Sequence, residues 1–552
     1  MRDWKKDAVC YEIYPRSFKD SNGDGIGDLQ GIISKLDYIK ELGVDVIWIC
    51  PIYKSPNDDN GYDISDYQEI MSEFGTMDDF DELLKEVHKR GMKLILDLVI
   101  NHTSDEHPWF LESRSSKDSA KRDWYIWRDG KDGAEPNNWE SIFSGSAWQY
   151  DDKTDQYFLH LFSKKQPDLN WENREVRQAL YDTVNWWLDK GIDGFRVDAI
   201  SHIKKEPGLK DMPNPHGLTY VSSFDKHMNV NGIHDFLEEL KKETFSKYDI
   251  MTVGEANGVK AHEADLWVGK EDGKFDMVFQ FEHLALWDEK EDSKLDVVEL
   301  KKTLSKWQDG LYNVGWNALF IENHDIVRVV SKWGNDKKYW KESSKALAMI
   351  YFMQQGTPFI YQGQEIGMTN VKYDSIEEYN DVSTHNRYVK NIQNGMSPEE
   401  ALHHEWVVSR DNARTPMQWD GSEKAGFTTG TPWIGVNPNT KEINVESQLN
   451  DETSILNFYK SLIRIRKTYT TFIDSKCELI LPDHDQIYAY TRIDDKGEFL
   501  VICNLTEKEA HFQLDFELDK YEILLSNIEN ESNKEIGKTI LKPYEARLYK
   551  LK

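Results

Sequence analysis

Three acids could do chemistry together. Asp198 closes the run Gly194-Phe195-Arg196-Val197-Asp198, Glu255 closes Ile250-Met251-Thr252-Val253-Gly254-Glu255, and Asp325 follows Ala318-Leu319-Phe320-Ile321 by way of Glu322-Asn323-His324. Each stands at or just beyond the end of a short apolar, strand-like segment. Carboxyl groups gathered at strand ends are what nucleophilic and acid/base chemistry at a sugar bond requires: one as nucleophile, the other as acid and then base, ~5 Å apart. For any single acid a structural ion pair explains the residue as well. Three at strand ends, beside Arg196 and His324, shift the balance. Arg196 lies two residues before Asp198, so on a strand the two side chains share a face and the cation would keep Asp198 ionised.

A second constellation is Asp20-Ser21-Asn22-Gly23-Asp24-Gly25-Ile26-Gly27-Asp28. Oxygen donors at alternate positions (Asp20, Asn22, Asp24, the Ile26 carbonyl, Asp28), with glycines for tight turning, match the first nine positions of a calcium loop. The twelfth position is Gly31 where an EF-hand has Glu, and no incoming helix precedes the loop. A structural Ca²⁺ is expected, in a loop that is not an EF-hand.

The elements that must position these groups alternate in type. Strand-like runs lie near Val9–Tyr14, Val46–Ile49, Lys93–Leu98, Gly194–Val197, Ile250–Val253, Met277–Phe279, Ala318–Ile321 and Pro358–Tyr361. Amphipathic runs between them, such as Ile32–Leu42, Asp78–Arg90, Glu175–Asp189, Leu237–Phe245 and Lys341–Met353, place apolar residues three and four apart. Eight such units predict a (β/α)₈ barrel, whose C-terminal strand ends meet around one mouth, so the separation of the acids along the chain is no obstacle. About 70 residues between the third strand and the next barrel helix are too many for a loop. This stretch, rich in Trp, Asp, Asn, Ser and Gly, is read as an inserted subdomain, 103–172, between barrel segments 1–102 and 173–475. The alternating runs Gln486–Thr491, Glu498–Asn504 and Ala546–Leu551 predict a C-terminal antiparallel β-sandwich over 476–552.

The 552 residues carry 68 Lys and Arg against 98 Asp and Glu, a net charge of −30, which disfavours nucleic acid and anionic membranes and suits a small neutral partner. Oligomeric state is not legible. The four cysteines, Cys10, Cys50, Cys477 and Cys503, show no CxxC spacing and read as buried free thiols. The first residues lack the apolar core of a secretory signal, and no uncharged apolar run reaches transmembrane length, so a cytoplasmic location is the default.

The strings Asp97-Leu98-Val99-Ile100-Asn101-His102, Gln166-Pro167-Asp168-Leu169-Asn170, Gly194-Phe195-Arg196-Val197-Asp198, Val253-Gly254-Glu255 and Glu322-Asn323-His324-Asp325 resemble the signature segments of the α-amylase superfamily, glycoside hydrolase family 13. More narrowly, the whole chain resembles the bacterial oligo-1,6-glucosidase and α-glucosidase branch. The resemblance implies Asp198 as nucleophile, Glu255 as general acid/base and Asp325 as transition-state stabiliser holding sugar hydroxyls. It implies a metal in the Asp20–Asp28 loop, and an Asp63–Arg410 pair closing the non-reducing end of the pocket so that glucose leaves one unit at a time. His102 and His324 would donate to ring hydroxyls, and Tyr62 and Phe162 would stack on sugar faces. In that branch the residue after the nucleophile tends to be Val for α-1,6 bonds and a smaller Ala or Thr for α-1,4 bonds. Here it is Ala199, and Ala256-Asn257-Gly258 also looks more like the maltose-cleaving type. A methyl-scale change discriminates by only ~1 to 3 kcal/mol. The expectation is a retaining α-glucosidase acting on terminal α-1,4-linked glucose of maltose and short malto-oligosaccharides. Its rivals are an oligo-1,6-glucosidase, or a sucrose- or trehalose-phosphate-active enzyme of the same fold, and, from another class, a catalytically dead sugar-binding subunit.

Overall fold

The computed structural model describes residues 3–287, 290, 294–514, 521–528 and 540–551. Eight parallel strands, β1 (Cys10–Ile13), β2 (Val46–Ile49), β3 (Lys93–Val99), β4 (Gly194–Asp198), β5 (Met251–Glu255), β6 (Met277–Phe279), β7 (Ala318–Leu319) and β8 (Thr357–Tyr361), run in the order β6-β5-β4-β3-β2-β1-β8-β7. A parallel bridge between Val278 and Asn317 joins the two ends. The sheet is therefore a closed (β/α)₈ barrel.

Strand alternation sorts the side chains. Cys10, Trp48, Ile95, Met251, Val253, Met277, Phe279, Ala318, Phe320 and Phe359 fill the interior, while Tyr11, Ile13, Ile47, Leu94, Leu96, Phe195 and Val197 face the surrounding helices. By the same alternation Glu12, Asp97, Arg196, Asp198 and Glu255 point inward at the C-terminal end of the barrel.

The helical layer comprises α1 (Leu36–Leu42), α2 (Met77–Lys89), α3 (Arg174–Asp189), α4 (Ile233–Glu243), α5 (Ala264–Val268), α6 (Val297–Leu311), α7 (Trp340–Phe352) and α8 (Ile455–Thr468). Helix α2 starts where a capping box forms between Thr76 and Asp79. The single helix expected over Ile32–Leu42 is broken at Lys35, whose N–H bonds the Ile32 carbonyl, a three-residue tightening that separates Leu29–Ser34 from α1. The seventh ladder ends at Leu319, two residues short of the apolar run.

The excursion after β3 forms a three-stranded antiparallel sheet, Trp127–Arg128, Gln156–Leu159 and Trp148–Asp151. It is not self-contained. Val221–Ser222, from the loop after β4, pairs with Trp139–Glu140, and buried Trp139 donates to the Lys210 carbonyl. Between β8 and α8 a further long excursion carries the helices Val382–Gln393 and Pro398–Val408. Its Lys390 pairs with Glu140 at 2.7 Å and its Asn386 donates to the Phe143 carbonyl, so it meets the inserted subdomain across the mouth.

The C-terminal segment is a five-stranded antiparallel sheet, ordered Lys476–Ile480, Ile487–Asp494, Gly497–Asn504, Ala546–Leu551 and Tyr521–Ser526. One face (Tyr488, Tyr490, Val501, Cys503) joins the main core. The other (Ile487, Ala489, Leu500, Ile502) packs with Ala510 and Leu541 of a short second sheet. All four cysteines are buried and free.

Candidate active site

Arg196 is the hub of the barrel mouth. Its Nη1 donates to Asp198 Oδ1 at 2.8 Å and to both oxygens of Asp97 at 2.8 and 3.0 Å, and its Nη2 donates to Glu255 Oε2. The side chains that close β4 and β5 thus share one guanidinium. Trp48 and Tyr62 flank that cation, 5.2 and 5.9 Å from their ring centres. Glu255 Oε2 also accepts the Ala199 N–H at 3.0 Å. This bond depends on Ala199 taking a left-handed backbone, φ +44°, which costs an alanine about 1 to 2 kcal/mol. Backbone strain of this kind collects at functional sites.

Burial pushes Asp198 well above the usual carboxylate range; Arg196 opposes it, and the neighbouring Glu255 and Asp97 push further upward. Arg196 is shared with Asp97 and Glu255, so its pull on Asp198 does not outweigh burial. The expectation that Arg196 simply keeps Asp198 ionised is refined accordingly.

Asp325 sits on a different set of cations. Arg414 Nη2 reaches its Oδ1 at 2.8 Å, Arg410 Nη1 the same oxygen at 3.1 Å, and His324 Nε2 its Oδ2 at 3.0 Å. Burial alone would raise this carboxyl, but His324, Arg410 and Arg414 hold it well below the ordinary value. About a third of the Asp325 side chain remains exposed.

Other expected site residues are placed differently. Asp63 is fully buried and accepts from Ser55 Oγ and the N–H groups of Asp58 and Asp59, and burial pushes it up to about 7. It organises its own loop. The acid that meets Arg410 is Asp59, at 3.0 Å, together with Asp381, which also caps the helix Val382–Gln393. Arg410 lies 4.8 Å above the Phe143 ring, so barrel, inserted subdomain and helical excursion all converge on its guanidinium. Despite burial, Arg410 and Arg414 hold Asp381 far below the carboxylate range.

His324 is fully buried, stacked between Tyr62 and Tyr14, with Nδ1 on Glu12 and Nε2 on Tyr62 Oη and Asp325. Both of its nitrogens thus have protein partners. His102 is also buried and neutral, pushed down to about 4 by burial, with Nδ1 accepting from Asn101 and Nε2 donating to the Tyr62 carbonyl. Tyr62 Oη donates to Asp97. Phe162 is partly exposed and packs against His102 and Phe143. Ala199 and the partly exposed Asn257 follow Asp198 and Glu255 at the strand ends.

Sequence reasoning missed Asp59, Asp381 and Arg414. Asp59 stands three residues before Tyr62 in Asp58-Asp59-Asn60-Gly61-Tyr62, and Arg414 four residues after Arg410; neither spacing separates pocket acids from loop acids. Asp381 carries only the signal of a helix N-cap.

In the glycine loop, Asp20 Oδ1 accepts the Asn22 and Gly23 N–H groups, and Oδ2 accepts from Gly25 N and Thr428 Oγ1. Gly25 has φ +95°, and a Cβ there would lie 1.7 Å from the Thr431 carbonyl oxygen, so only glycine fits. The donor set is all hard oxygen, as Ca²⁺ prefers; Asn22 Oδ1, Asp24 Oδ1 and both oxygens of Asp28 each accept one backbone N–H and keep a second lone pair, whereas each Asp20 oxygen already accepts two hydrogen bonds.

A closed barrel whose mouth holds a buried carboxylate pair and a third, ionised acid defines a sugar-bond hydrolase. Residues 12–475 match the family described as alpha amylase, catalytic domain. The chain is 62% identical over 547 residues to "Probable oligo-1,6-glucosidase 3" of Bacillus subtilis (strain 168), covering 99% of both chains, and 54% identical to the oligo-1,6-glucosidase of Parageobacillus thermoglucosidasius, covering 100% and 99%. Among solved structures, the Bacillus licheniformis trehalose-6-phosphate hydrolase (a mutant complex) is 47% identical with TM-score 0.94, and the isomaltulose synthase of Protaminobacter rubrum 41% identical with TM-score 0.93, each over 100% of both chains. The chain belongs to the α-amylase family, glycoside hydrolase family 13, in its bacterial oligo-1,6-glucosidase branch, and is a hydrolase of the α-glucosidase type.

Proposed function

We propose that the protein is a retaining, exo-acting α-glucosidase that removes terminal glucose from short oligosaccharides, with α-1,6-linked substrates of the isomaltose type foremost. Asp198 attacks the anomeric carbon while Glu255 protonates the departing oxygen; Glu255 then takes a proton from water, which displaces Asp198. Asp325 holds ring hydroxyls through an oxygen kept ionised by its three cations. Arg410, locked to Asp59 and Asp381, closes the far end of the pocket, which supports release of one unit at a time. The observation that carries the reading is the attachment of Asp198 and Glu255 to the same guanidinium.

The α-1,6 preference rests on the oligo-1,6-glucosidases that match the chain end to end. It displaces the expectation of maltose as first substrate. A second reading, α-1,4 cleavage, keeps the support of small Ala199 beside Asp198. Initial rates on isomaltose, maltose, sucrose and trehalose 6-phosphate decide: isomaltose should lead. A maltose rate about ten-fold above isomaltose would reverse the order, and no glucose from any of the four would favour a binding role.

The loop Asp20–Asp28 is proposed to hold a structural Ca²⁺, through Asp20, Asn22, Asp24, Asp28 and the Ile26 carbonyl, supported by its all-oxygen donor set. Chelation should lower Tm, with calcium restoring it; a Tm indifferent to both would count against the ion. No helix among the described residues is long and apolar enough to cross a membrane. A cytoplasmic site of action remains part of the proposal, checked by cell fractionation.

A further inference from the structure

Glu12, on β1, is a buried carboxyl group that none of the steps above uses. Its side chain is 1% exposed, it projects into the barrel by the same alternation as Cys10, and its Oε1 lies 2.5 Å from His324 Nδ1. The other nitrogen of that ring lies 2.7 Å from Tyr62 Oη and 3.0 Å from Asp325 Oδ2. Tyr62 in turn donates to Asp97, which holds Arg196. The donor directions form a consistent set with both ring nitrogens carrying hydrogen: Nδ1–H to Glu12, Nε2–H to Asp325 and Tyr62, Tyr62 O–H to Asp97. Burial raises Glu12 against the pull of His324 and Arg196, and the alternative set, a protonated Glu12 donating to a neutral ring, predicts that Glu12→Gln behaves as the parent. Glu12, Cys50 and His324 are close enough to suggest a metal site. A 2.5 Å contact is a direct hydrogen bond, shorter than the separation of two ligands that each stand about 2 Å from an ion in tetrahedral array.

We infer that Glu12 is a positioning residue for the hydrolysis, holding His324 as an imidazolium so that the Asp325 carboxylate has its third cation and a fixed orientation. This deepens the proposed function and rests on its assignment of Asp325. The groups facing His324 support it. Glu12 comes from β1 and Tyr14 from just beyond it; Cys50, whose thiol lies 3.6 Å from the same Glu12 oxygen, follows β2 directly, and Tyr62 stands in the loop after it. Asp97 and Arg196 lie beyond Tyr62, Asp325 is on the ring's own loop, and the Arg414 Nε donates to the His324 carbonyl. Burial would lower the imidazole, but Asp325, Cys50 and Glu12 raise it well above its ordinary value.

The test is Glu12→Gln, which keeps shape and removes the charge. Its amide can offer N–H to Nδ1, leaving a neutral ring that still donates from Nε2. The folded variant should lose kcat by about ten-fold with KM within about three-fold, because the lost interaction matters most as ring charge develops. The acid limb of its kcat/KM profile should move upward by about half a pH unit or more, because Asp325 has lost a cation. Glu12→Asp, which keeps the charge but withdraws it by one methylene, should show the same changes at smaller amplitude, and it carries the test if the glutamine variant does not fold. A parental pH profile and kcat in whichever variant folds would overturn the proposal. Asp325→Asn, measured alongside, separates the failures: activity in that variant would defeat the site assignment, whereas its inactivity beside a parental Glu12→Gln would defeat only the role of Glu12.

Discussion

At the scale of single residues, the decisive difference lies between two acids four positions apart. Asp59 faces Arg410; Asp63 faces its own loop N–H groups. Replacing Asp59 with Ala removes one of the three acids that hold Arg410 and should lower kcat/KM by about ten-fold, mostly through KM, in steady-state kinetics on isomaltose. Asp63→Asn preserves size, and because the native carboxyl already sits near 7 in its burial, kcat/KM should stay within about three-fold. Equal losses from the two substitutions would contradict the pairing. The sequence made Asp198, Glu255, Asp325, Arg196 and Arg410 legible because their strings mark strand ends or known segments. It left Asp59 and Asp63 indistinguishable, since only burial tells which acid turns toward the pocket. His102 and His324 were legible as site residues but their bonds were not, because the partners of their nitrogens, Glu12 and the Tyr62 carbonyl, lie on other strands and loops.

Secondary elements were legible where periodicity is strong. Helices α2, α3 and α7 begin and end within a residue of the runs expected for them, and β2 and β6 coincide with theirs. What pattern could not show is the excursion between β8 and α8, and the recruitment of Val221–Ser222 by the inserted subdomain, because both depend on contacts distant in sequence. The docking of the C-terminal sheet was equally hidden. It relies on cations bonded to backbone carbonyls, Lys301 to Leu481, His484 and Ile487, and Arg492 to Met353, Thr471 and Ser475; within the barrel domain Arg466 of α8 binds Phe352, Gln354 and Gly356 in the same way. Desolvation pulls Arg466 down to about 9 and Lys301 to about 8, outweighing the opposing pull of Asp7 on the first and of Asp483 and Asp485 on the second. Arg466→Leu would leave three carbonyls without a donor and should destabilise the protein by about 3 kcal/mol or more in urea unfolding. An unchanged urea midpoint would show that these bonds contribute nothing net.

On the scale of the whole molecule, acid sensitivity follows from histidines buried as neutral rings. His102 and His202 are pushed down to about 4, and His107 and His283 to about 3, by burial. Each binds a proton on unfolding throughout the interval between its folded value and the ordinary value near 6.5. Stability from these groups is therefore complete above about 6.5 and declines as pH falls toward 4, by about 1.4 kcal/mol per pH unit for each proton taken up. His324 has the opposite sign, its stabilisation being lost only as pH rises through its elevated folded value. Buried carboxyls such as Asp63, raised to about 7, act in the opposite direction between about pH 6.5 and 4.5, so the contribution of the rings is read as a difference: the urea midpoint of His283→Gln should fall less over this range than that of the parent, and an equal fall would mean that the ring is hydrated or charged in the folded protein.

The barrel exists to bring Asp198 and Glu255 to one guanidinium, and the reaction proposed for them passes through a glucosyl ester on Asp198. Slow-turnover labelling with a 5-fluoro-α-glucosyl fluoride, followed by mass spectrometry of peptic fragments, tests this directly. One glucosyl-type adduct should appear on the peptide containing Asp198, be absent from Asp198→Asn, and disappear on further incubation as activity returns. An adduct on another carboxylate, or turnover without any adduct and with the opposite anomer released, would contradict the account.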